Sequence, residues 1–149
     1  MQSDFKHYNH LLSIPHERRT NQASYLFYNT YQTLVEKGVS PMTRMRGLEY
    51  SIFAPLAYDG PLNEKELEFA NTVLNQHFSL EEANDIIKQM DLEKTAETIA
   101  KFAESLDELR VEYLMDMIVL GLISDSGDDT INEKEDEFLD QLQIAVYYK

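Results

Sequence analysis

Helical periodicity runs through almost the whole chain. Apolar residues recur three and four positions apart rather than two, and only five glycines and four prolines interrupt the 149 residues. This spacing places apolar side chains along one face of a helix, and the scarcity of chain-breaking residues leaves long intervals for helices. The length suits one hydrophobic core. The pattern therefore predicts an all-α fold: a compact, single-domain bundle of about six or seven helices joined by short connections.

Capping sequences mark several helix starts. A first long helix is predicted from about Asn21 to Glu36, and Ser40-Pro41 then has the residue types of an N-cap followed by a first-turn proline. Four segments match the capping box, in which a polar cap residue is followed three positions later by Glu; they begin at Asn63, Ser79, Ser105 and Asn132.

The helix predicted from Ser105 is the most apolar. Its apolar residues are Leu106, Leu109, Tyr113, Leu114, Met117, Ile118 and Leu122. Their density predicts that this helix forms the buried centre of the bundle.

Composition excludes several classes of protein. The chain has no cysteine, which excludes disulfides and thiolate metal sites. Its longest apolar run, residues 117–123, is far shorter than the roughly 20 residues that span a bilayer, so no transmembrane segment is predicted. The N-terminus lacks the order of a signal peptide, which favours a cytoplasmic location. The sequence has neither a phosphate-binding loop nor a nucleophile motif, so nothing in it indicates an enzyme.

Charge is distributed unevenly along the chain. The net charge is −14; residues 1–58 carry six Lys/Arg and four Asp/Glu, whereas residues 59–149 carry seven Lys/Arg and 23 Asp/Glu, a net of −16. Such an acidic surface repels nucleic acid and anionic lipid and attracts cations or basic proteins. Direct nucleic-acid binding is therefore not expected.

An acidic segment occurs twice. Residues 61–69, PLNEKELEF, and residues 130–138, TINEKEDEF, are identical at six of nine positions. Each copy follows an apolar helix and begins an amphipathic one, so the chain contains a helix–acidic loop–helix unit in two copies. We expect the two units to be related by pseudo-twofold symmetry and their loops to lie near one another.

Two interpretations of the repeat remain open. Helix capping alone explains Asn and Glu at these spacings, with Leu62 and Leu67 able to form a hydrophobic staple in the first copy. The second copy also concentrates seven carboxylates within thirteen residues, which a hard cation would stabilise, since calcium prefers oxygen ligands. Neither loop contains His or Cys, so calcium or magnesium is favoured over zinc.

The two copies resemble the signature of the TerB-like family, named for a tellurite-resistance protein. The relevant segments are FAPLAYDGPLNEKELEF and LMDMIVLGLISDSGDDTINEKEDEF, and the resemblance covers roughly residues 40–148. Three features depart from the signature: Tyr58 directly precedes Asp59, Asp129 stands where the second glycine is expected, and the second loop is longer.

The resemblance implies a site and a function. Family members are proposed to bind a divalent cation through the paired loops, which carries over to Asp59, Glu66, Glu135 and either Asp125 or Asp128, depending on how the longer second loop aligns. It implies a TerB-like domain at residues 40–149, with residues 1–39 as an N-terminal extension and first helix packed on it. The expected function is a non-enzymatic module that acts through protein partners, some of them membrane-associated, in a bacterial stress response.

A second function is suggested by the charge alone. An acidic surface of this size can imitate a nucleic-acid backbone and inhibit a basic, DNA-binding protein. A mimic needs carboxylates spread along an extended face, whereas a cation site needs them to converge in the two loops.

Overall fold

A computed structural model describes residues 8–58, 60–124 and 131–148. These residues form eight α-helices and one short 3₁₀ turn, with no β-strand among them. The helices are α1 (Tyr8–Leu12), α2 (His16–Glu36), α3 (Pro41–Leu56), α4 (Glu64–Leu74), α5 (Leu80–Lys88), α6 (Thr95–Ala103), α7 (Glu108–Ser124) and α8 (Glu133–Tyr147), and the 3₁₀ turn, Leu92–Lys94, precedes α6. The predicted all-α bundle is confirmed.

The helix starts follow the predicted caps, with one exception. Ser40 caps α3, and reciprocal capping boxes begin α4, α5 and α8 at Asn63, Ser79 and Asn132. The box predicted at Ser105 is wrong. Helix α7 begins at Glu108, and the Asp107 carboxylate accepts the Arg110 N–H at 2.8 Å. Leu106 is buried in the preceding turn, so the helix starts only after that side chain has entered the core.

Helix α7 is the centre of the molecule. It packs against α1, α2, α3 and α4. The predicted core residues Leu114, Met117, Ile118 and Leu122 are all at most 2% exposed. Of the other apolar residues of this helix, Leu109 is 47% exposed on the first turn and Tyr113 is half-buried. A helix that is apolar nearly all round must be buried on most of its faces, and four packing partners provide that burial.

The packing partners reflect the repeated unit. The two helices that precede the acidic loops, α3 and α7, pack against each other. Helices α2 and α6, which precede the two units, occupy corresponding positions. Each packs on the last helix of the unit that follows it: α2 on α4, and α6 on α8. Each also packs on the leading helix of the other unit: α2 on α7, and α6 on α3. The correspondence is incomplete, since α4 also packs on α7 whereas α3 makes few contacts with α8 within the described ranges.

The leading helices of the two units, α3 and α7, lie side by side and run in the same direction. The α2–α3 and α6–α7 connections meet where Lys37 Nζ donates a hydrogen bond to the Ser105 carbonyl at 3.2 Å. Helices α3 and α7 both start at this end and run for about 25 Å towards the acidic loops.

One helix boundary differs from the sequence-based prediction. In the described part of the chain the short α1 ends before Pro15, and α2 begins directly after that proline instead of near Asn21. The α1–α2 corner is held by Arg19, which is 2% exposed and donates to the carbonyls of Ile14 and Leu12 at 2.9 and 3.3 Å. Within the described part of the chain, none of the helices combines the length and apolar character needed to cross a membrane.

Candidate functional site

The first acidic junction connects α3 to α4. Gly60 has a φ of 150°, a backbone conformation that side-chain-bearing residues rarely adopt, which explains why a glycine stands here. The Leu62 N–H donates to the Asn84 Oδ1 of α5 at 3.2 Å, fixing the connection to the body of the protein. Both staple residues, Leu62 and Leu67, are buried in the core.

Glu66 has a structural role in this junction. Its Oε1 accepts the Asn63 N–H at 3.0 Å while its own N–H donates to Asn63 Oδ1 at 2.9 Å. Glu66 is only 7% exposed, so its carboxylate is held at the base of the junction instead of in solvent. One of its carboxylate oxygens is therefore committed to capping α4.

The second junction repeats this geometry at the start of α8. The Asn132 N–H donates to Glu135 Oε1 at 3.0 Å, and the Glu135 N–H donates to Asn132 Oδ1 at 2.8 Å. Ile131, which corresponds to Leu62, is 4% exposed and belongs to the core. The capping interpretation of the repeat is thus confirmed for Glu66 and Glu135.

The remaining predicted ligands, Asp59, Asp125 and Asp128, lie outside the described residues. The alignment of the second loop, by Asp125 or by Asp128, therefore stays open. Among the residues that the structure describes, no three His, Asp or Glu side chains are arranged to hold a metal ion. The predicted cation site depends on the aspartates that the structure does not describe.

The described residues that flank the two acidic loops lie close together. The Tyr58 ring, at the end of the first unit's leading helix, contacts the Phe138 ring of α8 with centroids 4.8 Å apart. A groove of about 790 Å³ beside this contact is lined by Tyr58, Gly60 and Pro61 of the first junction and by Lys134 of the second. Residues that start α8 and residues that precede α4 thus share one surface.

Asp136 is a residue whose environment the sequence does not predict. It replaces the Leu67 of the first copy, and its Oδ1 is buried without a hydrogen-bond partner among the described residues. A buried carboxylate oxygen without a partner is uncommon in folded proteins, since its desolvation is uncompensated. Its position, one residue after Glu135, places it in the first turn of α8 beside the second acidic loop.

Helix ends add to the electrostatics of this region. Helices α3 and α7 both finish here, and the partial negative charge of a helix C-terminus favours cations. Acidic residues occupy the first turns of α4 and α8, where the partial positive charge of the helix N-terminus stabilises them. The local charge therefore comes from two helix C-termini together with carboxylates that are partly engaged in capping.

Comparisons of the chain with protein-family models, with curated proteins and with solved structures give no match.

Proposed function

We propose that this protein is a non-enzymatic, TerB-like helical module whose two acidic junctions together bind a divalent cation. In this proposal the module acts through a protein partner in a bacterial stress response of the tellurite-resistance type. Calcium or magnesium is the expected cation, because the side chains in both loops that can coordinate a metal do so through oxygen atoms.

The proximity of the two junctions is the observation that carries this proposal. The Tyr58–Phe138 ring contact, at 4.8 Å, ties the end of the first loop's leading helix to the helix that follows the second loop. Duplicated capping alone does not require the two junctions to meet, since each capping box is complete within its own helix. A shared site does require it.

The buried Asp136 oxygen gives the proposal a second support. Its Oδ1 has no partner among the described residues, although burial without a hydrogen bond costs about 1–3 kcal/mol. A cation bound by the neighbouring aspartates would compensate that cost directly or through a bound water. Zinc is disfavoured, because neither loop contains His or Cys.

Thermal unfolding tests the cation-binding part of the proposal. The protein is unfolded with and without millimolar calcium, magnesium or manganese at constant ionic strength, because any salt screens a chain of net charge −14. A cation that binds only the folded state raises the free energy of unfolding by about 2.7 kcal/mol when its concentration is a hundred times the Kd.

Two substitutions separate a specific site from general charge screening. Asp59→Asn preserves the shape of the side chain but removes its charge, and should abolish the shift in unfolding temperature. Glu135→Gln retains an oxygen that can accept the Asn132 N–H, and should reduce the shift. Equal shifts in the wild type and both variants would leave the repeat as capping chemistry alone.

The alternative function, an acidic inhibitor of a basic, DNA-binding protein, is favoured by one observation. Glu108, Glu112 and Asp116 are spaced four residues apart on α7, and all three act on the Tyr147 hydroxyl, which places them along one side of the helix. Such a row is the extended arrangement that a nucleic-acid mimic needs. Competition with duplex DNA for a basic partner recovered from cells would support this function, whereas a partner with no nucleic-acid affinity would exclude it.

A further inference from the structure

A groove with an apolar floor and an acidic rim lies beside the contact between α6 and α8. One part, of about 260 Å³, has Ala103 and Val146 among its lining residues and the exposed Glu104 and Glu108 at its edge. An adjoining depression of about 320 Å³ shares Ala100 and Glu104 with the first part. The alanines are small enough to let the two helices approach while leaving the surface above them concave.

The charge of this groove is predominantly negative. Its described lining contributes the carboxylates of Glu97, Glu104 and Glu108 against one basic side chain, Lys101. The Tyr147 hydroxyl reports the same field: burial, followed by the charges of Glu112, Asp116 and Glu108, raises the pKa of Tyr147 to about 12. A positively charged group in this groove would therefore be stabilised by several carboxylates.

The groove is separate from the acidic junctions. Glu108 lies in the first turn of α7, whereas the second acidic loop follows Ser124 at the other end of the same helix, about 25 Å away. Binding at one place and cation binding at the other can therefore be measured independently.

We propose that the α6–α8 groove binds a basic, amphipathic segment of a partner protein. The inference rests on the part of the proposed function in which the module acts through a protein partner, and it specifies the chemistry of that partner. Both depressions are at or below the lower limit of about 300–1,000 Å³ for whole ligands, so each accommodates one long side chain of a peptide.

Arginine fits this environment best. Its aliphatic stem packs on the alanine floor, and its guanidinium pairs in a bidentate manner with a rim carboxylate such as Glu108. The Tyr147 ring, which also lines the groove, offers a face for cation–π contact. Apolar residues of the segment would pack on Val146 and on the Ala100 and Ala103 side chains of the groove.

Fluorescence anisotropy with a defined probe tests the proposal. The probe is a fluorescein-labelled peptide of about 12 leucine and arginine residues with leucines at helical spacing, and its control is a scrambled peptide of the same composition. The full-length protein is compared with the pair variant Glu104→Lys/Glu108→Lys. A matched pair variant, Glu81→Lys/Asp85→Lys, makes the same change of net charge at exposed positions on α5.

The expected result is a loss of affinity confined to the groove variant. Glu104→Lys/Glu108→Lys should weaken binding of the ordered peptide about tenfold or more, and the α5 pair variant less than about threefold. The scrambled peptide should bind the wild type about tenfold more weakly than the ordered one. Equal losses in the two pair variants, or equal binding of the two peptides, would reduce the interaction to general charge attraction and overturn the proposal.

Further outcomes are also decisive. If Glu104→Lys/Glu108→Lys does not fold by circular dichroism, Glu104→Gln/Glu108→Gln replaces it, with an expected loss of about threefold or more and retention of affinity as the contradicting result. Self-association of the wild type, or binding to lipid vesicles, that disappears in the groove variant would identify a different occupant and overturn the proposal.

Measuring peptide binding and cation-dependent stability in the same variants separates this proposal from the proposed cation site. Asp59→Asn should leave the affinity for the peptide unchanged, and Glu104→Lys/Glu108→Lys should retain any cation-dependent rise in unfolding temperature. Loss of peptide binding in Asp59→Asn would show that the two surfaces act as one and contradict the assignment to the α6–α8 groove.

Discussion

At the scale of single residues, Glu66 and Glu135 set the limits on what the junctions can bind. Each uses Oε1 to accept the N–H of its cap residue, at 3.0 Å in both copies. In the capping box that begins α5, hydrogen bonds from the backbone and then the side chain of Ser79 lower the pKa of Glu82, because they stabilise its charged form. A cation at the junctions would meet the carboxylates of Glu66 and Glu135, each of which already has one oxygen engaged in capping.

Tyr147 allows a test of the acidic field around α7 and α8. Because the pKa of Tyr147 in the folded protein is raised from 10.0 to about 12, the unfolded chain ionises first as the pH rises. The resulting stabilisation of the unfolded chain lowers the free energy of unfolding between pH 10 and about 12, whereas below pH 10 this residue contributes no pH dependence. Urea unfolding across this range should show a steeper loss in the wild type than in Tyr147→Phe.

The control for this measurement is the neighbouring tyrosine. Tyr148 is 69% exposed, so Tyr148→Phe should retain the steep wild-type profile. Parallel profiles for the wild type and Tyr147→Phe would contradict the raised pKa and remove one support for the acidic groove.

Some individual residues were predictable from the sequence and others were not. Three capping boxes were, because their hydrogen bonds are local and depend on residue type and spacing alone. The pattern at Ser105 also satisfies that spacing, but Leu106 is buried in the preceding turn and the helix starts at Glu108, directly after Asp107. The burial of the Asp136 oxygen depends on tertiary packing, to which sequence spacing gives no access.

At the scale of helices, α3 and α6 approach each other closely at Gly47. A Cβ atom at this position would overlap the ring of Phe102, so the glycine makes room for the ring of the facing helix. The chain accepts a residue with poor helix propensity within α3 to allow this contact.

Gly47→Ala should therefore destabilise the protein. The higher helix propensity of alanine favours the variant by about 1 kcal/mol, but overpacking typically costs about 1–3 kcal/mol. The cost should exceed the gain, because the Phe102 ring would have to move from its position against the core. Thermal unfolding measures the net effect. Replacing the ring as well, in Gly47→Ala/Phe102→Leu, should recover part of the loss; a more stable Gly47→Ala variant would contradict the close α3–α6 packing.

Helix α7 shows how far periodicity predicts an element. Its central position followed from the density of apolar residues, and Leu114, Met117, Ile118 and Leu122 are buried as expected. Leu109 is 47% exposed on the first turn of α7, and a stripe of apolar residues does not reveal which of its members the neighbouring helices cover. Apolar spacing predicts the start of α2 too late, because it is weak over residues 16–20, whereas Pro15 sets the boundary.

At the scale of the whole molecule, α2 belongs to the same core as the repeated units. It packs on both α7 and α4, and its residues Ala23, Leu26 and Leu34 are at most 3% exposed. The N-terminal segment therefore covers one side of the central helix.

A protein that starts at residue 40 should lose cooperative unfolding. Without α2, the apolar face of α7 that it covers becomes exposed, and helices of 9 to 17 residues are marginal without tertiary packing. Differential scanning calorimetry of residues 40–149 and of the full chain measures this. A sharp transition in the shorter protein, close to that of the full chain, would show instead that residues 40–149 form an independent domain.

The general architecture was accessible from the sequence, whereas the composition of the site was not. The repeat predicted neighbouring junctions, and the Tyr58–Phe138 contact and the shared groove support that expectation. The ligand set stays a prediction, because Asp59, Asp125 and Asp128 lie outside the described residues. The sequence allows Glu66 and Glu135 either to cap a helix or to bind a cation. Only the hydrogen bonds in the structure show that one oxygen of each carboxylate is used for capping.

NMR with substoichiometric Mn²⁺ can determine whether the two acidic junctions form one cation-binding region, as we propose. The paramagnetic ion broadens the amide signals of residues near its binding site. We predict that the signals of Gly60 and Asn132 broaden together at the same Mn²⁺ concentration, while those of Gly38 and Ser105, at the opposite end of α3 and α7, stay sharp. Broadening at one junction alone, or to the same degree at both ends of the molecule, would contradict the account.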